Sequence, residues 1–423
     1  MATSSGADVR DGSLTQSPIG RAGGPPKAPA PAAPPRPRSA SRRVLEWTAL
    51  ALCFVVLAEL TSRVEDWVRF RMPIFSRVTD SGELLVNDST GTHGRPGARY
   101  FKWSMNGLGF RGPEVAREVP PGTVRVVTTG ASETFGLYES PGAEYPRQLE
   151  DSLRALASRA AWPACDGRAP RVAPRFEVVN AALPGMALPT LEQHLRTQVG
   201  PLRPDVVVLY PTPGFYLNPR APVERPPGDE SELAASNALQ PRLLKRLRDQ
   251  LKGLLPGPVL TYLRRRDIAD VVADRPAGWA FESLPPERVA AFESDLRRVV
   301  GATRAIGATP VLVVNVNIAM DPQFADEAMM VAWRRQFPRA SERTLVEFHA
   351  AAAESTRRIA ADSGVTLLDL PQSFGGRWAG RFADFVHFTD AGASLVASAL
   401  APVVAGAAGS SVSCDRFVSE GGD

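Results

Sequence analysis

The chain has 423 residues, 44% hydrophobic and 22% charged, an ordinary globular balance that excludes wholesale disorder and a multi-spanning membrane protein. Its formal charge of +4 comes from arginines scattered along the sequence, so no basic block argues for a nucleic-acid partner. Three cysteines, Cys53, Cys165 and Cys414, form no CxxC pair and no Cys/His ligand spacing, so no metal is expected. One domain with a large insertion fits this length.

Residues 1–43 are rich in Ala, Pro, Gly, Ser and Arg and offer too few large apolar side chains to offset the entropy of ordering, so a disordered cytoplasmic tail is expected. Residues 44–60 are nearly continuous apolar sequence, broken only by Glu46 and Glu59 near the ends. That is the short limit of a membrane span, about 17–25 residues, and the anchor is placed at residues 44–63. Arg36, Arg38, Arg42 and Arg43 precede it, so the positive-inside rule puts the tail in the cytoplasm and the rest outside. A cleaved signal peptide fits less well, because more than forty residues lead in and no small-x-small site follows. A buried core helix is the remaining reading. Residues 64–104 show no clear period and are expected to be a stalk or cap.

From residue 122 the pattern becomes regular. Five β-branched runs, Val124 to Thr129, Phe176 to Val179, Asp205 to Tyr210, Pro310 to Val316 and Val365 to Leu370, alternate with helical spacing at Tyr145 to Ala157, Leu188 to Thr197, Pro286 to Ile306 and Leu345 to Asp362. This order predicts an α/β fold with a parallel, doubly wound sheet. About 100 residues separate the third and fourth strands, too many for one crossover, so residues 216–285 are an insertion. Within it Leu243, Leu247, Leu251 and Leu254 share a helical face with arginines and lysines around the other. Such a helix either covers the domain or touches a membrane surface.

In such sheets ligands bind beyond the carboxyl ends of the strands. The first strand runs into Gly130-Ala131-Ser132, the second into Leu183-Pro184-Gly185, the third into Tyr210-Pro211-Thr212, and the last is followed by Asp384-Phe385-Val386-His387. A serine at a strand-to-helix turn exposes its hydroxyl beside backbone N–H groups. It becomes a nucleophile when an imidazole takes its proton and a carboxylate fixes the imidazole. Ser132, His387 and Asp384 supply that set.

These segments, with GASETFG and DFVH as the two ends, resemble the signature blocks of the SGNH (GDSL-like) hydrolases. The stretch Asn106 to Glu114 (NGLGFRGPE) resembles a lead-in found in bacterial members. The resemblance spans about residues 105–400 and implies a three-layer α/β/α, flavodoxin-like domain over residues 105–405, with residues 406–423 a flexible tail. It implies Ser132 as nucleophile, His387 as general base and Asp384 as its partner, with backbone donors of Ser132 and Gly185 in the oxyanion hole. There are two departures. The aspartate of the nucleophile block is Ala131, which leaves the triad intact. The asparagine of the third block is absent from YPTPGFYLN, and loss of one such donor weakens transition-state stabilisation by about 2.7–4 kcal/mol. Thr212 and Asn218 are the candidates to replace it.

Taken singly, Ser132 reads equally well as a helix N-cap, and an Asp-x-x-His spacing arises often by chance. The joint order along the sheet edge favours the triad. His194 and His349 fall on helices and read as surface or packed residues, and His93 lies in a loop outside the sheet. Asn315 and Asn317 end the fourth strand, where they either face the site from its carboxyl edge or, as the favoured reading, cap the backbone. Cys165 and Cys414 both fall outside the membrane, where a disulfide is permitted. The expected activity is a membrane-anchored serine esterase acting on acyl esters of cell-envelope carbohydrate or lipid, with no cofactor. The alternatives are an O-acyltransferase acting on exported polysaccharide and a non-catalytic carbohydrate-binding or assembly protein.

Overall fold

The computed structural model describes residues 40–70, 74–75, 84–159, 174–217, 241–320 and 325–411. Most of the N-terminal tail, Cys165, Cys414 and Asn218 lie outside the described residues. Two units divide the chain between Val55 and Val56, within helix α1 (Ala40–Phe70). The described part of the first is an exposed helical segment; the second carries the sheet. Helix α1 is long and apolar enough to cross a membrane. It continues past Arg63, the expected end of the anchor, to Phe70.

Residues 85–104 form two antiparallel hairpins, β1 (Leu85–Asp88) with β2 (Gly91–Gly94) and β3 (Arg99–Tyr100) with β4 (Trp103–Ser104). Leu84, Tyr100 and Met105 are buried in one cluster with Phe135 and Val179 of the main domain. This segment therefore packs against the main domain.

All five expected strands are present: β5 (Thr123–Thr129), β6 (Arg175–Asn180), β7 (Val206–Leu209), β8 (Thr309–Val313) and β9 (Thr366–Leu368). They form one parallel sheet in the order β6-β5-β7-β8-β9. β8 stops at Val313, three residues short of expectation. The Val314 N–H still bonds the Leu368 carbonyl of β9 at 2.9 Å, and the Val316 N–H then turns to the Tyr210 hydroxyl at 3.3 Å.

Successive side chains of a strand point to opposite faces. Val124, Val126, Val206 and Val208 bury on the side of α3 (Tyr145–Arg159) and α11 (Asp390–Ser411). Val127, Val207 and Leu209 bury on the side of α4 (Leu188–His194), α7 (Pro286–Ala305) and α9 (Glu342–Ser363). Both faces are apolar because both are covered, and the result is the three-layer α/β/α fold. Local signals set the helix ends. The Ser341 hydroxyl accepts from the Thr344 N–H at 3.0 Å to start α9, and Gly364 in the left-handed region ends it. Helix α11 is also apolar enough to span a membrane, but 56% of its apolar window is buried, which makes it a core helix. It runs to Ser411, so the flexible tail does not begin at residue 406 as expected.

Within the expected insertion, the described residues from 241 onward hold two α-helices, α5 (Arg242–Leu254) and α6 (Gly257–Ala273). Ion pairs from Arg265 to Glu327 at 2.6 Å and Arg335 to Asp267 at 3.0 Å tie α6 to α8 (Glu327–Gln336).

At the amino edge of the sheet, Arg125 is fully buried. Its guanidinium donates to the carbonyls of Ala116, Arg117 and Leu202 and pairs with Glu177 at 2.6 Å. A buried cation removed from its partners leaves them unsatisfied. Arg125→Met is expected to lower stability by about 3–5 kcal/mol, measured by urea unfolding. A change below 1 kcal/mol contradicts that role.

Candidate active site

In the sheet order β6-β5-β7 the direction in which strands are added reverses at β5, and the crevice between the carboxyl ends of β5 and β7 is where such folds bind ligands. Ser132 follows β5, and Thr212 follows β7. The turn between Thr129 and the four-residue helix α2 (Ser132–Phe135) admits only glycine at its centre. Gly130 has φ of +153°, and a Cβ there would lie 2.4 Å from Thr134 Oγ1 and 2.9 Å from the Tyr210 carbonyl. Ala131, at the N-cap, offers no capping side chain, so Ser132 stands at a helix start whose first N–H groups have no intrahelical partner.

The other end of α2 is held by Arg111, which is buried. Its Nη1 donates to the Phe135 carbonyl and, at 2.5 Å, to the Gly136 carbonyl. Its Nη2 reaches the Glu144 carboxylate at 3.4 Å, and the guanidinium carbon lies 4.7 Å from the Phe135 ring centroid. The Arg111 N–H donates to the Asn180 carbonyl at 3.1 Å, and the Asn180 amide donates to the Thr134 carbonyl at 3.1 Å. The segment carrying Arg111 is folded by its own side chains. The Asn106 amide oxygen accepts from the N–H groups of Leu108 and Phe110, both at 2.9 Å, and the Glu114 carboxylate accepts from the Gly107 N–H at 3.0 Å. The lead-in stretch is thus a clamp on the turn that carries Ser132, a role its sequence did not reveal.

The loop after α10 (Leu370–Phe374) brings in the other two groups. His387 Nε2 lies 2.8 Å from Ser132 Oγ, and His387 Nδ1 lies 2.7 Å from Asp384 Oδ2. The second carboxylate oxygen of Asp384 accepts from the N–H groups of His387 and Val386 at 2.9 and 3.0 Å. An ionised carboxylate at Nδ1 holds the proton there, leaving Nε2 to accept the serine proton. The loop is fixed at three places. The Ile318 N–H donates to the Phe385 carbonyl at 3.0 Å, Ser140 N–H donates to Asp390 at 2.7 Å, and the Trp333 ring stacks on Phe385.

Burial alone would raise the Asp384 pKa, but hydrogen bonds and charge from His387, with the Val386 N–H, hold it below the usual carboxylate value. Burial alone would lower the His387 pKa. The Asp384 carboxylate, reinforced by Glu133 and Glu139, outweighs it and raises the imidazole above 6.5. Glu133 and Glu139 were not anticipated. Glu133 is buried directly after the serine, and burial pushes its carboxyl up. Burial likewise pushes Glu139 up to about 7, offset in part by Arg111. The half-exposed Tyr138 ring packs 5.0 Å from the imidazole.

The expected oxyanion groups are present in part. Gly185 has φ of +81° in a loop tied to the serine turn by the Leu183 N–H, which donates to the Gly130 carbonyl at 3.2 Å. Among the described residues, neither the Gly185 nor the Ser132 N–H donates to another group of the protein. Thr212 occupies the third-block position, and its hydroxyl donates to the Glu133 carboxylate at 3.2 Å.

The remaining candidates lie elsewhere. His93 bonds Asp88 at 3.0 Å on the β1–β2 hairpin. His194 and His349 are buried in the core, where burial pushes their pKa values down to about 4 and about 3. Asn317 caps the Ala319 N–H at 3.1 Å, as expected. Asn315 does not: its amide is buried without a hydrogen bond among the described residues. Those residues contain no cluster of three or more metal-ligating side chains.

No family profile and no curated protein matches the sequence. Solved structures do resemble the fold. An α/β hydrolase from the metagenome of Lake Arreo, Spain, matches at a TM-score of 0.38 and 15% identity over 67% of this chain and 95% of its own. A lipase/acylhydrolase from Enterococcus faecalis matches at 0.36 and 14% over 67% and 96%. An acetylxylan esterase from Geobacillus stearothermophilus matches at 0.37 and 13% over 66% and 94%. Each is a distant likeness, and the chemistry of the site rests on its own geometry.

The electrostatics have a direct readout. In imidazole NMR, His387 is expected to titrate above 6.5, while His194 and His349 stay neutral until about pH 4 and about pH 3. Glu139→Gln removes a nearby negative charge and is expected to lower the His387 value. An unchanged or higher value contradicts this account.

Proposed function

We propose that the chain is a serine esterase of the SGNH type, held to a membrane by α1, that cleaves acyl esters of cell-envelope carbohydrate or lipid. One observation carries the reading: an unbroken hydrogen-bonded series of Ser132, His387 and Asp384, with links of 2.8 and 2.7 Å, at the carboxyl edge of the sheet. The apolar helix α1 supports the membrane assignment. The envelope substrate rests on the positive-inside expectation that the domain faces outward.

In the proposed reaction Ser132 Oγ attacks the ester carbonyl as His387 Nε2 takes its proton. The tetrahedral oxyanion faces the N–H groups of Ser132 and Gly185. His387 returns the proton to the departing alkoxide, leaving an acyl ester on Ser132. Water then attacks that ester, His387 takes its proton, and the free acid leaves as the proton returns to Oγ. Asp384 keeps the proton on Nδ1 and stabilises the imidazolium. With the Thr212 hydroxyl directed at Glu133, two backbone donors remain for the oxyanion. Because the base must be neutral, kcat/KM is expected to rise with pH through the elevated His387 value and to fall below it.

Hydrolysis of an activated acetyl ester by the solubilised full chain tests this. Asp384→Asn is expected to lower kcat on the order of 10⁴-fold through the wrong imidazole tautomer. Arg111→Met displaces the serine turn and is expected to cost on the order of 10²-fold, with no rescue by Arg111→Lys, which lacks the two-pronged donor. Activity that survives Asp384→Asn rejects the triad. Acyl groups appearing on an added sugar rather than as free acid would assign a transferase.

A further inference from the structure

Helix α5 leaves apolar surface uncovered. Leu244, Leu247, Leu251 and Leu254 are 61%, 50%, 54% and 80% exposed, although their spacing puts Leu247, Leu251 and Leu254 on one face with Leu243. Soluble monomers seldom leave such a row open. Exposure continues across the Leu255–Pro256 link onto Val259 and Tyr262. Arg248 and Lys252, both exposed, flank the row.

The placement of α5 narrows what covers this face. The N–H groups of Arg242 and Leu243 donate to the Glu59 carboxylate at 3.1 and 2.8 Å. Arg242 pairs with Asp66 at 3.1 Å, and Arg246 pairs with Glu65 at 2.6 Å and Asp66 at 2.5 Å. Glu59 ends the apolar run of α1, and Glu65 and Asp66 lie one to two turns further on. The start of α5 is therefore fastened level with the point where the apolar run gives way to charge. Its arginines on the α1 side are used in that fastening, and its leucines face away from it.

We propose that α5 lies in the headgroup layer of the bilayer that α1 enters, its leucine row reaching the acyl boundary and Arg248 and Lys252 meeting lipid phosphates. The occupant is an anionic lipid surface. Two features select it: the depth set by Glu59, and an amphipathic helix with cations beside its apolar row. The proposal rests on the reading of α1 as a membrane anchor.

The test uses the full chain with Cys53→Ser, Cys165→Ser and Cys414→Ser, spin-labelled at Leu251→Cys, Phe54→Cys or Arg343→Cys. The protein is reconstituted into vesicles of phosphatidylglycerol and phosphatidylcholine. Power saturation compares collision with oxygen, which concentrates in lipid, and with a polar nickel chelate, which stays in water. The expected result is an oxygen-to-nickel ratio at Leu251 several-fold above that at Arg343, approaching that at Phe54, and lower at Leu251 in pure phosphatidylcholine. A water-like Leu251 beside a lipid-like Phe54 overturns the proposal and leaves the anchor intact. A water-like Phe54 overturns the anchor and the proposal together. A Leu251 shielded from both reagents overturns it in favour of a protein partner, and equal partition into pure phosphatidylcholine overturns the anionic surface.

Discussion

The site depends on one contact, the Arg111 guanidinium on the carbonyls that end helix α2. A four-residue helix has too few internal hydrogen bonds to hold itself, so Ser132 is only as well placed as the groups around it. Gly130 shapes the turn before the serine; Arg111 satisfies the carbonyls after it, where the backbone is electronegative. Arg111 is in turn anchored by Glu144, the Phe135 ring and its own N–H on Asn180. One buried cation thus joins the segment before the sheet, the turn that carries Ser132 and β6. A charge so placed is unfavourable unless every partner is in position, which makes the geometry around Ser132 specific.

The surroundings of His387 follow from the same burial. Three carboxylates influence one imidazole: Asp384 through a hydrogen bond, Glu133 and Glu139 through charge. Asp384 is held ionised by the hydrogen bonds it accepts. The other two are pushed toward the neutral form by burial. Protons in this cluster are therefore shared among groups whose ordinary values differ by about two units. Glu133 also engages Thr212 at the position where the resemblance implies an amide donor.

Much of this was legible in the sequence because it rests on short-range patterns. The β-branched runs at Val124, Asp205 and Pro310 marked strands, and the serine, glycine and Asp-x-x-His segments fell after strands in the right order. Strand ends were less legible. β8 stops at Val313, and the Val316 N–H is taken by the hydroxyl of Tyr210, which is distant in sequence. The extent of α1 and α11 was missed for a different reason: α1 carries ion pairs beyond its apolar run, and α11 keeps packing past residue 405. The clamp was invisible as chemistry. Arg111 could be flagged within its motif, but only the fold brings it to Phe135 and Gly136. Glu133 and Glu139 carried no signal at all, because burial decides what a glutamate does and a single sequence does not display burial at a turn.

Mass spectrometry of the full chain after exposure to an organophosphonate tests the central claim most directly, since this reagent is trapped by a serine only when a neighbouring base activates it. The account predicts one adduct, on Ser132, that disappears in His387→Ala. A folded protein that forms no adduct, or one that is labelled at Ser132 as fast without His387, would contradict it.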